Sequence, residues 1–248
     1  MSRSPQVAVV VIGAEVLSGK VRDENGPFLI DSLRSLGATL VELRVIDDDT
    51  DTIAETVRAL AARFDYVITT GGIGPTHDDL TVAGIARAFE VAVVRDSGLV
   101  EDLRGYYHER LTDQHLRLAD VPEGSKLHRD LRGVPVLQMR NVFVLPGIPA
   151  LARRCFEQVA DVFQGDAVVT RVLFVNAAET DIAETLNVIT ESHPEVRIGS
   201  YPRTDDPRAR VKVTVESTER AEVRRAVDAL RERLPDGMIV DEQEGDRL

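Results

Sequence analysis

The stretch TTGGIGPTHDDLT, Thr69–Thr81, gathers residues able to do chemistry within one short turn. Gly71, Gly72 and Gly74 permit positive φ and let a backbone come close to a ligand. Free N–H groups at the start of the helix that follows favour an anion such as phosphate. Asp78 and Asp79 can cap that helix or, beside a phosphate, coordinate a hard cation. Two readings therefore fit. One is a tight strand-to-helix turn with an acidic helix start; the other is an amide nest for phosphate with carboxylates for a metal. A glycine-rich turn alone does not separate them. His77, in the same turn, is either a proton donor or phosphate partner or an exposed turn residue.

Three more stretches are expected at the same sheet edge. VIDDDTD, Val45–Asp51, carries Asp47, Asp48, Asp49 and Asp51, more carboxylates than one helix start needs as caps. At least two belong to a solvated turn; the functional reading turns one toward the pocket. GAEVLSGK, Gly13–Lys20, is like a Walker A loop at first sight. The spacing fails, because five residues separate Gly13 from Gly19 and Val21 stands where Ser or Thr would meet magnesium. Glu15 still follows the first strand and can join a metal site. Asn25 closes the polar loop behind it. VLPGIP, Val144–Pro149, is a rigid turn whose Gly147 amide could complete an anion nest.

The elements that must hold these groups alternate. QVAVVVIG (Gln6 to Gly13) reads as a buried strand, and ENGPFLIDSLRSLG (Glu24 to Gly37) as a helix. ATLVELRVID is a second strand. TDTIAETVRALAARF (Thr50 to Phe64) is an amphipathic helix with Ile53, Val57, Leu60 and Ala61 on one face and Asp49 or Thr50 as cap. DYVITT is the third strand, and DDLTVAGIARAFE the helix after the glycine turn. This alternation implies a parallel sheet with helices on both faces. Ser97 to Asp120 reads as polar and helical, suited to a lid or a subunit contact. LRGVPVLQMRNVFVLPGIP gives two short strands, then a helix from Pro149. After a boundary at Gln164 to Asp166, the order β-α-β-β-α-β predicts a small ferredoxin-like α+β domain over 166–248, behind a larger domain over 1–165.

Composition narrows the partners. Net charge is -12 and only 4% of residues are aromatic, with no Trp. Nucleic acid is therefore not an expected partner. No run reaches the length of a membrane span, and the N-terminal apolar run lacks a signal-peptide layout, so a cytoplasmic location is expected. The single cysteine, Cys155, lies in a helical pattern as a buried small hydrophobe. None of the five histidines has zinc-site spacing, and no GxSxG elbow is present.

GGIGPTHDD, with IGAEVLSGKVRDEN before it and NVFVLPGIP after it, resembles the molybdopterin-binding-like domain of the competence- and damage-inducible CinA family. It is also similar to the N-terminal domain of eukaryotic FAD synthases and, more distantly, to molybdenum-cofactor proteins of the MoaB and Mog type. The resemblance spans roughly Val7 to Phe163. It implies a three-layer α/β/α fold on a mostly parallel sheet. In the molybdopterin branch, a glycine loop and two aspartates, matching Asp79 and Asp48, serve pterin-phosphate binding and adenylyl transfer. In the CinA and FAD-synthase branch, the domain is associated with hydrolysis of ADP-ribose or FAD pyrophosphates, dependent on divalent metal (magnesium, manganese or cobalt) and potassium. PTHDD is the pattern of that branch.

The resemblance thus implies Asp48, Asp78 and Asp79 as catalytic residues. The same three with Glu15 would hold metal, and Gly71, Gly72, Gly74, Thr76, Asn25 and Gly147 would contact substrate. Relatives commonly self-associate, so a homo-oligomer is a further expectation. Neither the deamidase domain of many CinA proteins nor the adenylyltransferase domain of FAD synthases fits after Phe163; a stand-alone version is expected. The alternatives are a pterin- or nucleotide-binding module without turnover and an adenylyltransferase of molybdenum-cofactor synthesis.

Overall fold

The structure is a computed structural model that describes residues 4–129 and 134–245. It divides into two compact units, Met1–Asp166 and Ala167–Leu248. The first residues of the LRGVPVLQMRNVFVLPGIP stretch, in which two short strands are expected, lie outside the described residues.

Strand β1 (Gln6–Ile12) explains the larger unit. Its apolar residues run without alternation, so both faces must be buried. Val7, Val9 and Val11 enter a core with Leu29, Leu33, Phe143 and Phe163. Ala8, Val10 and Ile12 enter a second core with Ile53, Val57, Leu60 and Ile85. After β1 come the single turn α1 (Ala14–Leu17), α2 (Asn25–Ser35), β2 (Thr39–Ile46), α3 (Thr50–Ala61), β3 (Tyr66–Thr70) and α4 (Thr81–Phe89). Asp49 caps α3, its carboxylate accepting from Thr52 N–H at 2.8 Å.

An insertion follows: β4 (Val93–Arg95), α5 (Ser97–Tyr107), α6 (Asp113–Leu116) and β5 (Asp120–Pro122), with β4 and β5 forming a two-stranded antiparallel ribbon. β6 (Lys126–His128), β7 (Val136–Met139), β8 (Val142–Leu145) and α7 (Pro149–Val159) complete the unit. The sheet order is β2-β1-β3-β8-β7-β6. β2, β1, β3 and β8 pair in parallel; β7 and β6 join antiparallel. Helices α2 and α7 supply one core and α3, α4 and α5 the other, which makes three layers.

The smaller unit carries β9 (Val169–Val175), α8 (Glu179–Ser192), β10 (Arg197–Pro202), β11 (Val211–Ser217), α9 (Arg220–Arg233) and β12 (Ile239–Glu244). Its antiparallel sheet has the order β10-β11-β9-β12, and Ile182, Leu186, Ile189, Val223, Val227 and Leu230 of the two helices pack on Leu173, Val213 and Val215. This is the split βαβ arrangement read from the element order. No helix among the described residues is long and apolar enough to cross a membrane.

Phe163 anchors the end of the larger unit. Its ring packs against Tyr66, Phe143 and Phe156 with centroids 5.3, 5.1 and 5.6 Å away. Phe163→Ala should therefore lower unfolding free energy by roughly 3–5 kcal/mol. A denaturant titration that leaves the transition midpoint unmoved would show that this cluster is not a keystone.

Candidate functional site

The C-terminal ends of β1, β2, β3 and β8 fall on one edge, because all four strands run parallel. Ligands bind at such edges in open α/β sheets. The Gly13 turn, the Asp47–Asp49 turn, the glycine loop and Pro146–Gly147 meet there.

Gly71 has φ +104°, and a Cβ on it would collide with the Ile12 carbonyl oxygen. Gly72 has φ +63°; a Cβ there would collide with the Thr81 hydroxyl and stand 3.2 Å from Asp48 Oδ1. The buried Thr81 hydroxyl donates to Gly71 O at 2.7 Å, and its N–H to Gly72 O at 3.0 Å. So the helix start locks the loop.

The amides divide differently from the expectation. Gly71 N–H donates to Leu145 O at 3.2 Å, extending the β3–β8 pairing, and Gly74 N–H donates to Asp79 Oδ1 at 2.5 Å. Neither is open to an anion. Among the described residues, the amides of Gly72 and Ile73 have no protein acceptor. Ile73 was not visible to sequence reasoning, since a free backbone amide carries no side-chain signature.

The carboxylates also separate. Helix α4 begins at Thr81, not Asp78, with Leu80 at its N-cap and no side-chain cap. Asp79 turns back instead, accepting from Gly74 N–H, from Thr76 N–H at 2.8 Å and from the Thr76 hydroxyl at 2.5 Å. Local side chain–backbone bonds of this kind compete with helix capping. Asp79 thus holds the loop in shape. Asp78 faces the Thr76 hydroxyl at 2.6 Å, and this bond, with its own backbone amide, lowers its pKa. One hydroxyl hydrogen serves either Asp78 or Asp79 at a time. Thr76 is thereby tied to the two aspartates. His77 stands in solvent, its side chain 97% exposed.

Asp48 is the carboxylate brought to the loop. Its Oδ2 accepts from Ala14 N–H at 2.7 Å. Burial pushes its pKa up, the Ala14 bond pulls it down, and the charges of Glu15, Asp47 and Asp78 push it up again; the net shift is upward. Glu15 on α1 curls over Gly13 and lines the cleft described below.

Asn25 is buried beneath the edge rather than presented to a ligand. Its Nδ2 donates to the Thr70 hydroxyl at 2.9 Å and to Gly147 O at 2.8 Å, while the Thr70 hydroxyl donates to Pro146 O at 2.9 Å. In place of the expected substrate contact, Asn25 has a positioning role, holding Gly147 beside Gly71. Asn25 Oδ1 is buried without a donor among the described residues. Thr70 and Thr81 are the supporting residues that the sequence did not reveal, because a threonine in a strand or helix start has no distinctive spacing.

Among the described residues, no three His, Cys, Asp or Glu side chains converge to hold a metal ion. Asp79 is spent on N–H donors. The hard oxygen donors of Asp48 and Glu15 still suit a magnesium-like ion, which commonly takes one or two carboxylates and fills its shell with phosphate oxygens and water. From the loop a cleft of about 1230 Å³ extends between α4, α5 and the start of α7. Cys155 is buried, as expected of a small hydrophobe.

Residues 8–164 match the protein family described as "Probable molybdopterin binding domain", and residues 167–243 that described as "FAD synthase, middle domain". The chain belongs to the molybdopterin binding domain family. A protein of Archaeoglobus fulgidus is 33% identical over 92% of this chain and 97% of its own length. A Caenorhabditis elegans protein named "Probable FAD synthase" is 31% identical over 94% of this chain, and the chain spans 51% of that relative's length. The crystal structure of the protein CinA from Thermoplasma acidophilum, of unknown function, is 26% identical, with a TM-score of 0.60 over 64% of this chain and 98% of that one. The edge of this family member thus carries one carboxylate of raised pKa and, at Gly72 and Ile73, amides without a protein acceptor among the described residues.

Asp48→Asn keeps an oxygen for Ala14 N–H and removes the crowded charge. An acid whose folded pKa is raised carries a penalty that appears as pH rises through that pKa. The variant should melt at or above the parent's temperature at pH 7, the gap closing as pH falls below the ordinary carboxylate range. A clearly lower melting temperature at pH 7 would refute the charge-crowding account.

Proposed function

We propose that this protein is a divalent-metal-dependent pyrophosphatase of ADP-ribose- or FAD-like dinucleotides. One observation carries the reading: the amides of Gly72 and Ile73 have no protein acceptor among the described residues, and Gly72 turns its Cα toward Asp48, a Cβ there standing 3.2 Å from Asp48 Oδ1. An anion nest next to a carboxylate is electrostatically sensible when a cation sits between the phosphate and the acid. The relative named as a FAD synthase supports a dinucleotide as ligand, and the match to a molybdopterin binding domain supports a phosphorylated ligand.

On this reading Gly72 and Ile73 N–H groups hold one phosphate of the pyrophosphate. Asp48 and Glu15 hold the cation, with Asp78 at the rim. A bound cation supplies charge neutralisation and a water of lowered pKa. Water adds to one phosphorus, the bridging P–O bond breaks, and two monophosphates leave: AMP with ribose 5-phosphate, or AMP with FMN. Asp79, Thr76 and Thr81 keep the amides aimed before the reaction begins, so stabilisation costs little reorganisation.

A second reading, a pterin- or nucleotide-binding module without turnover, is favoured by the absence of three convergent metal-binding side chains among the described residues. The two part in one assay. ADP-ribose or FAD is incubated with magnesium, manganese or cobalt and with potassium, and AMP is measured. The expected result is AMP release that chelation abolishes and that Asp48→Asn reduces by about 100-fold or more. Folded protein that binds FAD but releases no AMP would overturn the pyrophosphatase reading and leave the binding module.

A further inference from the structure

The cleft is much larger than a phosphate needs, and its lining is unlike the rest of the surface. The two most exposed large apolar side chains among the described residues are Tyr106 at 72% and Ile148 at 61%, and both line this cleft. An exposed large ring is worth explaining only when it is grouped with others like it. Here the grouping is specific. Tyr106 meets Tyr107 edge to face with centroids 4.9 Å apart, and Tyr107 stacks on the His115 ring at 3.9 Å and 18°. His115 is itself fixed, its Nδ1 accepting from Thr112 N–H at 3.1 Å in the cap of α6. A held pair of rings therefore presents a third, open one to the cleft.

Charge adds a donor. Of the cleft carboxylates, Asp120 is paired with Arg95 at 2.8 Å and Asp102 is paired with Arg129. Arg117 lines the same cleft and has no ion pair among the described residues. Its guanidinium offers several N–H donors in one plane.

Resting on the function proposed above, we propose that Tyr106, Ile148 and Arg117 form the subsite for the planar heteroaromatic ring of the ligand whose phosphate sits on Gly72 and Ile73. The ring stacks on Tyr106, its apolar edge lies on Ile148, and Arg117 donates to nitrogen or oxygen acceptors at its rim. Continuity with the amide nest sets the occupant: one small molecule with phosphate at one end and fused aromatic rings at the other. Tyr106 is then a specificity-determining residue.

The test uses the full chain with magnesium and three probes: FMN, AMP and ribose 5-phosphate, which has no ring. Affinities come from calorimetry, and FMN fluorescence reports stacking directly. Tyr106→Ala should weaken FMN and AMP by about 10-fold or more and leave ribose 5-phosphate within about 2-fold. Quenching of bound FMN should fall in Tyr106→Ala and persist in Tyr106→Phe. Arg117→Ala should weaken the ring-bearing probes alone. Circular dichroism checks that each variant keeps the fold. If all three probes bind the parent and Tyr106→Ala changes none of them, this subsite is overturned while the phosphate site stands. If none binds the parent, both the subsite and the pyrophosphatase reading fall.

Discussion

No side chain can stand at Gly71. A Cβ there would strike the carbonyl oxygen of Ile12, a backbone atom at the end of the central strand that cannot move aside. This one steric constraint lets β3 end flush between β1 and β8 and sends the chain over the sheet edge at φ +104°. The rest of the edge is arranged around it. A Cβ on Gly147 would stand only 3.3 Å from Gly71 Cα, a close approach that Asn25 supports by holding Gly147 O. Thr81 holds Gly71 O from the other side. The amides of Gly72 and Ile73 are left without a protein acceptor among the described residues.

The acidic residues share the work unequally. Asp49 caps a helix, Asp79 braces the loop, and Asp78 is held by Thr76. Asp48 alone among the described acidic residues sits in a place that raises its pKa, first through burial and then through the crowded charges of Glu15, Asp47 and Asp78. Such crowding opposes folding unless something positive shares the site, which is the electrostatic sense of the proposed cation. The overall charge of -12 makes an anionic ligand depend all the more on local amides and that cation.

Much of the fold could be read from the chain. The unbroken apolar run of β1 and the spacing of Ile53, Val57 and Leu60 each have one physical solution, a strand buried on both faces and a helix buried on one. The glycine loop, Asp48 and Glu15 were legible as a shared edge because parallel strands bring their ends together. The start of α4 was not. An aspartate before an apolar run looks like a cap, and only the folded loop shows that Asp79 has nearer donors in Gly74 and Thr76. The ribbon of β4 and β5 was missed because three-residue strands carry no period. Tyr106 was missed for a different reason: two adjacent tyrosines in a polar helix look unremarkable until Ile148, far along the chain, lines the same cleft.

The account turns on which amides meet the phosphate. The most direct measurement is a backbone ¹⁵N–¹H correlation spectrum recorded while pyrophosphate is titrated in the presence of magnesium. The Gly72 and Ile73 amides should shift strongly and saturably, with those of Gly71 and Gly74 moving little because Leu145 and Asp79 already hold them. Shifts confined to Gly74 and Thr76, as if phosphate had displaced Asp79, or no shift in the loop at all, would contradict it.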